Sequence, residues 1–167
     1  MLVIRKAEPR DVPQILQLIR ELAAYEKAPE QAVATEADLL VDGFGPAPRY
    51  FCLMAEWEGA PAGFAFYFHN YSTWQGRQGL YLEDLYVSPA YRHAGAGKAM
   101  LHYLARLAVA NNCGRFEWSV LDWNEPAIRF YRSIGAVAMS EWVRYRLTGQ
   151  ALEDFAAGTP NPPEAAG

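Results

Sequence analysis

A mixed fold of strands and helices is predicted for this chain by three observations. The run Leu2-Val3-Ile4-Arg5-Lys6-Ala7 passes straight into residues of helical spacing. Two aromatic-rich runs, Tyr50 to Trp57 and Ala62 to His69, are parted by the turn residues Glu58-Gly59-Ala60-Pro61. A further run, Gly79 to Val87, leads through Ser88-Pro89 and a glycine-bearing turn into a second amphipathic segment. The 167 residues, 51% hydrophobic and 20% charged, suffice for one sizeable core and are too few for two ordinary domains, so residues 1–156 are expected to form a single domain.

Each element has its own signal. Leu2 to Ala7 reads as a strand, and Asp11 caps a helix whose apolar positions Val12, Ile15, Leu16, Ile19, Leu22 and Ala23 recur every three or four residues. Thr35, followed three residues on by Asp38, forms a capping-box pattern for a short helix through Leu39 and Leu40 that Gly43 ends, with loop to Pro48. The two aromatic runs make an antiparallel hairpin, and Gly79 to Val87 is the third strand. Lys98 to Ala110 places Met100, Leu101, Leu104, Leu107 and Ala108 on one helical face. Arg115 to Val120 reads as a strand, Pro126 to Ser133 as a helix with proline in its first turn, and Trp142 to Leu147 as a last strand. The Ala/Gly/Pro-rich tail, residues 157–167, is expected to be disordered.

Composition excludes several classes. Lys and Arg number 15 against 19 Asp and Glu, a net charge of −4, which argues against a broad phosphate-binding surface for nucleic acid. Cys52 and Cys113 are far apart and lack metal or disulfide spacing, and His69 and His102 have no partner at ligand spacing, so no metal is expected. Charged residues crowd the first positions, and no apolar run is long enough to span a bilayer, so the protein is expected to be soluble and cytoplasmic, with no membrane partner.

The chemistry is concentrated in Arg92-His93-Ala94-Gly95-Ala96-Gly97-Lys98, between a strand and a helix. A helix start carries free backbone N–H groups, and glycines before it let a ligand approach, so an anion can be held without a positive surface. The segment is not a Walker loop, because Arg92 stands at the first glycine position and Ala99 replaces the magnesium-binding hydroxyl residue. It is not the dinucleotide fingerprint either, since Met100 occupies the last glycine position. An ordinary glycine-rich turn remains the competing reading.

Arg92, Gly95 and Gly97 after a strand resemble the pyrophosphate loop of the GNAT superfamily of N-acetyltransferases. With Glu21-Leu22-Ala23-Ala24-Tyr25-Glu26, Asp42-Gly43-Phe44-Gly45, Tyr81-Leu82-Glu83-Asp84 and Trp123-Asn124-Glu125-Pro126-Ala127-Ile128-Arg129-Phe130-Tyr131, the resemblance extends over nearly the whole chain to the diamine (spermidine/spermine) branch, which includes enzymes acting on thialysine and lysine-like amines. It implies an α/β fold with a central mixed, mostly antiparallel sheet, flanked by helices and splayed at the acetyl-CoA site, and commonly a homodimer. It implies acetyl-CoA as donor and a small-molecule amine as acceptor. Backbone groups of Leu85, Tyr86 and Val87 would hold the pantetheine arm, His93 to Lys98 the pyrophosphate with Arg92 and Lys98 as charge partners, and Asn124, Glu125, Pro126 and Ala127 the cofactor's other side. His93 stands where the branch usually has glycine.

Acyl transfer to an amine needs the amine neutral, yet an alkylammonium titrates at about 10.4, so only about one molecule in a few thousand is ready at neutral pH. Glu83 and Asp84 are adjacent on a strand and should point to opposite faces, so one of them meets the amine. The resemblance gives that role to Glu83, and ordering of the strand end is the competing role for either. It gives Tyr131 the proton for the departing thiolate, with placement among the core aromatics as the alternative. On the amine side it gives Tyr25 and Glu26, while Trp74 could offer an aromatic face to a cation and Glu141 is a further candidate. Simple solvation is the other reading of Glu26. A non-catalytic acyl-CoA-binding module is the remaining rival to an enzyme.

Overall fold

The computed structural model describes residues 1–158. They fall into two compact units, Met1–Ser119 and a second that begins at Val120, and each is described by itself.

The first unit is a five-stranded sheet in the order β1-β2-β3-β4-β5. Strand β1 is Leu2–Lys6, β2 Phe51–Trp57, β3 Ala60–Ser72, β4 Arg77–Val87 and β5 Phe116–Trp118. The first four pair antiparallel in sequence order, and β5 joins β4 in parallel. A parallel neighbour requires a crossover, which helix α3, Ala96–Ala110, supplies. Helices α1, Val12–Tyr25, and α2, Glu36–Phe44, lie between β1 and β2 in the chain.

Partners directly opposed across antiparallel strands share a face of the sheet. Cys52 with Phe66, and Met54 with Phe64 and Tyr86, make one face, which packs with Ile15, Leu18 and Leu22 of α1 and Leu39 of α2. Leu53 with Ala65, together with Leu80 and Leu82, makes the other, covered by Met100, Leu101 and Leu104 of α3. Ile15, Leu18, Leu53, Phe64, Leu80, Met100 and Leu104 are fully buried, each stabilising the fold by about 1.5–3 kcal/mol relative to an exposed side chain. Both helical stripes read from the sequence are core-facing.

One ionic clamp closes the N-terminal corner. Arg5 donates to both carboxylate oxygens of Asp11, at 2.7 and 2.9 Å, and its Nε to Glu56 at 2.9 Å. The Arg5 hydrogen bonds hold the Asp11 carboxyl below the usual range.

Several boundaries differ from the sequence reading. The hairpin turn is only Glu58-Gly59, both with positive φ (51° and 83°), so Ala60 and Pro61 belong to β3. Such a turn matches strand twist and needs just two residues. Gly43 lies inside α2, which runs on to Phe44, because the helix there lies against the Tyr50 ring: a Cβ on Gly43 would collide with it, and the Tyr50 hydroxyl donates to the Leu39 carbonyl at 2.5 Å. Strand β4 starts earlier, at Arg77, α3 starts at Ala96, and β5 is shorter than Arg115 to Val120.

In the second unit, α4 is Glu125–Ser133 and α5 is Gly149–Ala157. The expected strand Trp142 to Leu147 is not formed. A strand exists only where its N–H and C=O groups meet a neighbour, and among the described residues this segment pairs with none, leaving Trp142 and Tyr145 exposed. The expected disordered tail begins inside α5 at Ala157, and its residues 159–167 lie outside the described residues.

Candidate functional site

The sheet opens at one place. Strand β5 pairs with β4 only from Leu80 to Leu82, against Phe116, Glu117 and Trp118. Beyond Leu82, β4 keeps β3 on one side and, among the described residues, has no strand on the other. The segment Glu83 to Val87 therefore presents a strand edge able to accept an extended ligand as an added strand.

At the mouth of that opening β4 carries a bulge. Phe66 opposes Asp84 and Tyr67 opposes Leu82, so Glu83 is the extra residue. The bulge shifts the alternation along the strand. Leu80 and Leu82 face α3 before it, whereas Asp84 and Tyr86 after it share the face of Phe66 and Phe64, toward α1. Simple alternation from Leu82 would have pointed Asp84 the other way.

The consequence is electrostatic. Asp84 is half-buried, and its pKa is pushed up to about 7 by burial and then by the charges of Glu83 and Glu26. Burial also raises Glu26. Glu83 itself is exposed. Glu26 and Glu83 thus lie within electrostatic reach of Asp84 beside the open edge, and Tyr25, next to Glu26 in the chain, has its ring under the Arg92 guanidinium at 5.1 Å. Sequence reasoning favoured Glu83, and the carboxylate poised nearest neutrality is Asp84. The Glu-Asp pair was visible, but the bulge that turns Asp84 inward was not.

The loop that follows leads into the start of α3. Pro89–Ala94 is a 3-10 turn, and Gly95 then takes φ +72°, a left-handed conformation that favours glycine, as the residue before the helix. No side chain caps α3, so the first-turn N–H groups of Ala96, Gly97 and Lys98 have no acceptor within the helix. A Cβ on Gly97 would meet only the Val87 Cγ2 atom, at 3.8 Å. This is a cradle for an anion, and it adjoins the end of the open strand edge. Arg92 donates its Nε–H to the Val87 carbonyl at 3.2 Å, and His93 meets the Trp57 ring edge-on.

Within the first unit one expected residue lies away from this cluster. Trp74 is 90% exposed in the β3–β4 turn, and the six residue steps from Arg77 to Glu83 alone span ~20 Å of strand. In the second unit Asn124 precedes α4 without a side-chain cap, Glu125, Pro126 and Ala127 form its first turn, and Tyr131 lies half-buried in it beside Phe130. Glu141 is exposed in the same unit.

The remaining reactive groups have structural surroundings. Burial pushes the Cys52 thiol far up, keeping it protonated and weakly nucleophilic. His69 Nδ1 lies 3.2 Å from the Gly79 carbonyl and 4.0 Å from the Cys113 sulfur. A cavity of about 230 Å³ at the corner of β1, α2 and β2, lined by Lys6, Phe44, Tyr50 and Phe51, contains none of the expected site residues. Among the described residues no three His, Cys, Asp or Glu side chains gather as a metal-binding group, and no helix is long and apolar enough to cross a membrane.

Comparison with known proteins follows the same line. Residues 13–136 match the profile of the Acetyltransferase (GNAT) family. The chain is similar to thialysine N-epsilon-acetyltransferase of Bos taurus, with 41% identity over 92% of this chain and 96% of that protein. It is similar to spermidine/spermine N(1)-acetyltransferase-like protein 1 of Homo sapiens, with 40% identity over 92% of this chain and 23% of that longer protein. Among solved structures, an integron cassette protein from the mobile metagenome of V. cholerae superposes with a TM-score of 0.79 at 27% identity, covering 94% of this chain and 98% of that one. An aminoglycoside acetyltransferase from an uncultured soil metagenomic sample shares the fold, with a TM-score of 0.75 at 19% identity over 89% of this chain and 97% of that one.

Proposed function

We propose that this chain, which belongs to the GNAT family of acetyltransferases, transfers an acetyl group from acetyl-CoA to a primary amine of a small diamine or polyamine. Acetylation of amines comes with the family and its named relatives. The donor, the class of amine and the residue roles are our inference, with residues 1–156 taken as one catalytic domain. The observation that carries it is the gathering of Glu26, Glu83 and Asp84 beside the open edge of β4.

Acetyl-CoA supplies the acetyl group as a reactive thioester. The open α3 start and the free strand edge fit its two ends. Backbone groups of Leu85, Tyr86 and Val87 would hold the pantetheine arm, and the N–H groups of Ala96, Gly97 and Lys98, with the Lys98 side chain, the pyrophosphate. The carboxylates draw an alkylammonium and stabilise it next to them. Asp84, with Glu83 beside it, accepts the proton that the amine must lose, and its pKa near 7 suits that exchange at neutral pH. Tyr131 delivers a proton to the departing sulfur. The buried, protonated Cys52 favours direct attack by the amine over an acylated cysteine. We extend the proposal to a cytoplasmic homodimer, which sedimentation would test.

Thialysine is a second reading, favoured by the name of a relative matched over 96% of its length. Both kinds of substrate carry at least two cationic groups on a short chain, and only thialysine adds a carboxylate, which the three acidic side chains would repel. CoA release measured with spermidine, thialysine and a simple monoamine separates them. Spermidine should give the highest kcat/KM, and Glu26→Gln should raise its KM more than that of the monoamine. A wide preference for thialysine would replace the polyamine reading, and CoA binding without turnover on any amine would reduce the chain to a binding module.

A further inference from the structure

The α1 helix is tied to the end of β4 by a polar contact that the roles assigned so far do not use. Glu21 Oε2 accepts a hydrogen bond from Ser88 Oγ at 2.8 Å. Ser88 is the residue at which the chain leaves the sheet, its N–H still bonded to the Ala62 carbonyl and its own carbonyl already accepting from Tyr91 in the following 3-10 turn. Tyr86, two residues earlier and almost wholly buried, carries its phenol between the Glu21 carboxylate and the Arg92 guanidinium. Arg92 donates to the Val87 carbonyl at 3.2 Å and lies over the Tyr25 ring. Tyr25 is four residues after Glu21, hence one turn along the same face of α1, and Glu26 follows it directly.

Glu21, Ser88, Tyr86, Arg92 and Tyr25 therefore close a loop. On one side stand the strand end and the loop leading to the anion cradle; on the other stands the amine-facing pair Tyr25 and Glu26. We propose that Glu21 is a positioning residue that, through Ser88 and Tyr86, holds the end of β4 and the Arg92 side chain against Tyr25, so that cofactor binding and amine recognition are energetically coupled. The inference rests on the function proposed above. Its physical basis is that a carboxylate accepting from the Ser88 hydroxyl, with the Tyr86 phenol beside it, restrains both, and hydrogen bonds to a charged group are stronger than neutral ones. Once Arg92 is held by a carbonyl and an aromatic face, moving it toward a phosphate must disturb Tyr25. Coupling of that kind is reciprocal, so the amine must change the affinity for the cofactor by the same factor as the cofactor changes the affinity for the amine.

The experiment compares the unmodified protein with Glu21→Gln, Tyr86→Phe and the double variant. Calorimetric titration with CoA gives the Kd, and steady-state kinetics give the amine KM at low and saturating acetyl-CoA. Glu21→Gln should weaken CoA roughly tenfold and flatten the dependence of the amine KM on acetyl-CoA, while kcat falls less than KM rises. If Glu21 acts through Tyr86, the double variant should be no worse than the weaker single one. Should Glu21→Gln fail to fold, Ser88→Ala removes one of its partners and should move the Kd in the same direction. Unchanged Kd and unchanged coupling in a folded Glu21→Gln protein would overturn the inference alone. Additive losses of thermal stability without any change in Kd would also overturn it, leaving only a structural staple. An unmodified protein that does not bind CoA would overturn the proposed function and this inference together.

Discussion

Two helices of the first unit begin in opposite ways. At α2, the Thr35 hydroxyl accepts from the Asp38 N–H at 3.2 Å and the Asp38 carboxylate accepts from the Thr35 N–H at 2.8 Å, a reciprocal box that satisfies the helix start from within. At α3, the preceding residue is Gly95, which has no side chain to offer, and Gly97 leaves open space above the first turn. A capped start uses its donors for stability. An uncapped one, beside a strand edge that has also lost its neighbour, leaves them to an anion. The difference lies in a few residues at each helix start.

The largest expected effect separates chemistry from both helix starts. Tyr131→Phe removes only a hydroxyl, so kcat should fall by about a hundred- to ten-thousandfold, the range of general acid catalysis, while calorimetry shows the same affinity for CoA. A near-normal kcat with chemistry rate-limiting would make Tyr131 a packing residue.

Next comes the open helix start itself. Gly97→Val fills the space that meets only Val87 at present, and should weaken CoA by about tenfold to a hundredfold through lost N–H contacts. Thermal stability should hold, because valine is a better helix residue than glycine. Unaltered CoA affinity in the folded variant would remove the α3 start from the site.

A smaller effect, spread over pH, comes from Asp84. In the free enzyme kcat/KM should fall about tenfold per pH unit below about 7, and Asp84→Asn should abolish that limb while leaving the one set by the amine. Stability runs the opposite way. A carboxyl whose folded pKa lies above its unfolded one stabilises the fold fully below about pH 4, and that contribution is lost as pH rises through about 7. Asp84→Asn should accordingly reduce the loss of melting temperature between those values, which a pH series of thermal melts reads directly.

The smallest effect tests the closed start. Thr35→Ala should cost about 1 kcal/mol in denaturant unfolding, with no change in CoA affinity. A change in CoA affinity there would mean that the two helix starts are not functionally distinct.

Where a local rule suffices, the sequence alone was enough. The α1 and α3 stripes follow from helical period, and Thr35 with Asp38 announces its own cap. The glycine loop could be read as an anion site because Gly95 and Gly97 stand where a helix starts. Features that depend on partners were not legible. The bulge at Glu83 comes from the register between β3 and β4, so neither residue of the Glu-Asp pair reveals by itself which one turns inward. Trp142 to Leu147 has strand composition, but composition supplies no neighbour to pair with. Helix α5 has little sequence signal because its nine residues, opening on Gly149, carry too short a pattern to stand out beside a low-complexity tail. The Glu21 contact joins residues 67 positions apart, which only the packing of α1 on β4 brings together.

The contrast between the two helix starts can be measured in one titration. Amide proton–nitrogen NMR spectra recorded as CoA is added should show the largest shifts at Ala96, Gly97 and Lys98, with Leu85 to Val87 following, and almost none at Glu36, Ala37 and Asp38 of the capped helix. Saturable binding that leaves the α3 amides unmoved, or that moves both helix starts alike, would contradict the account.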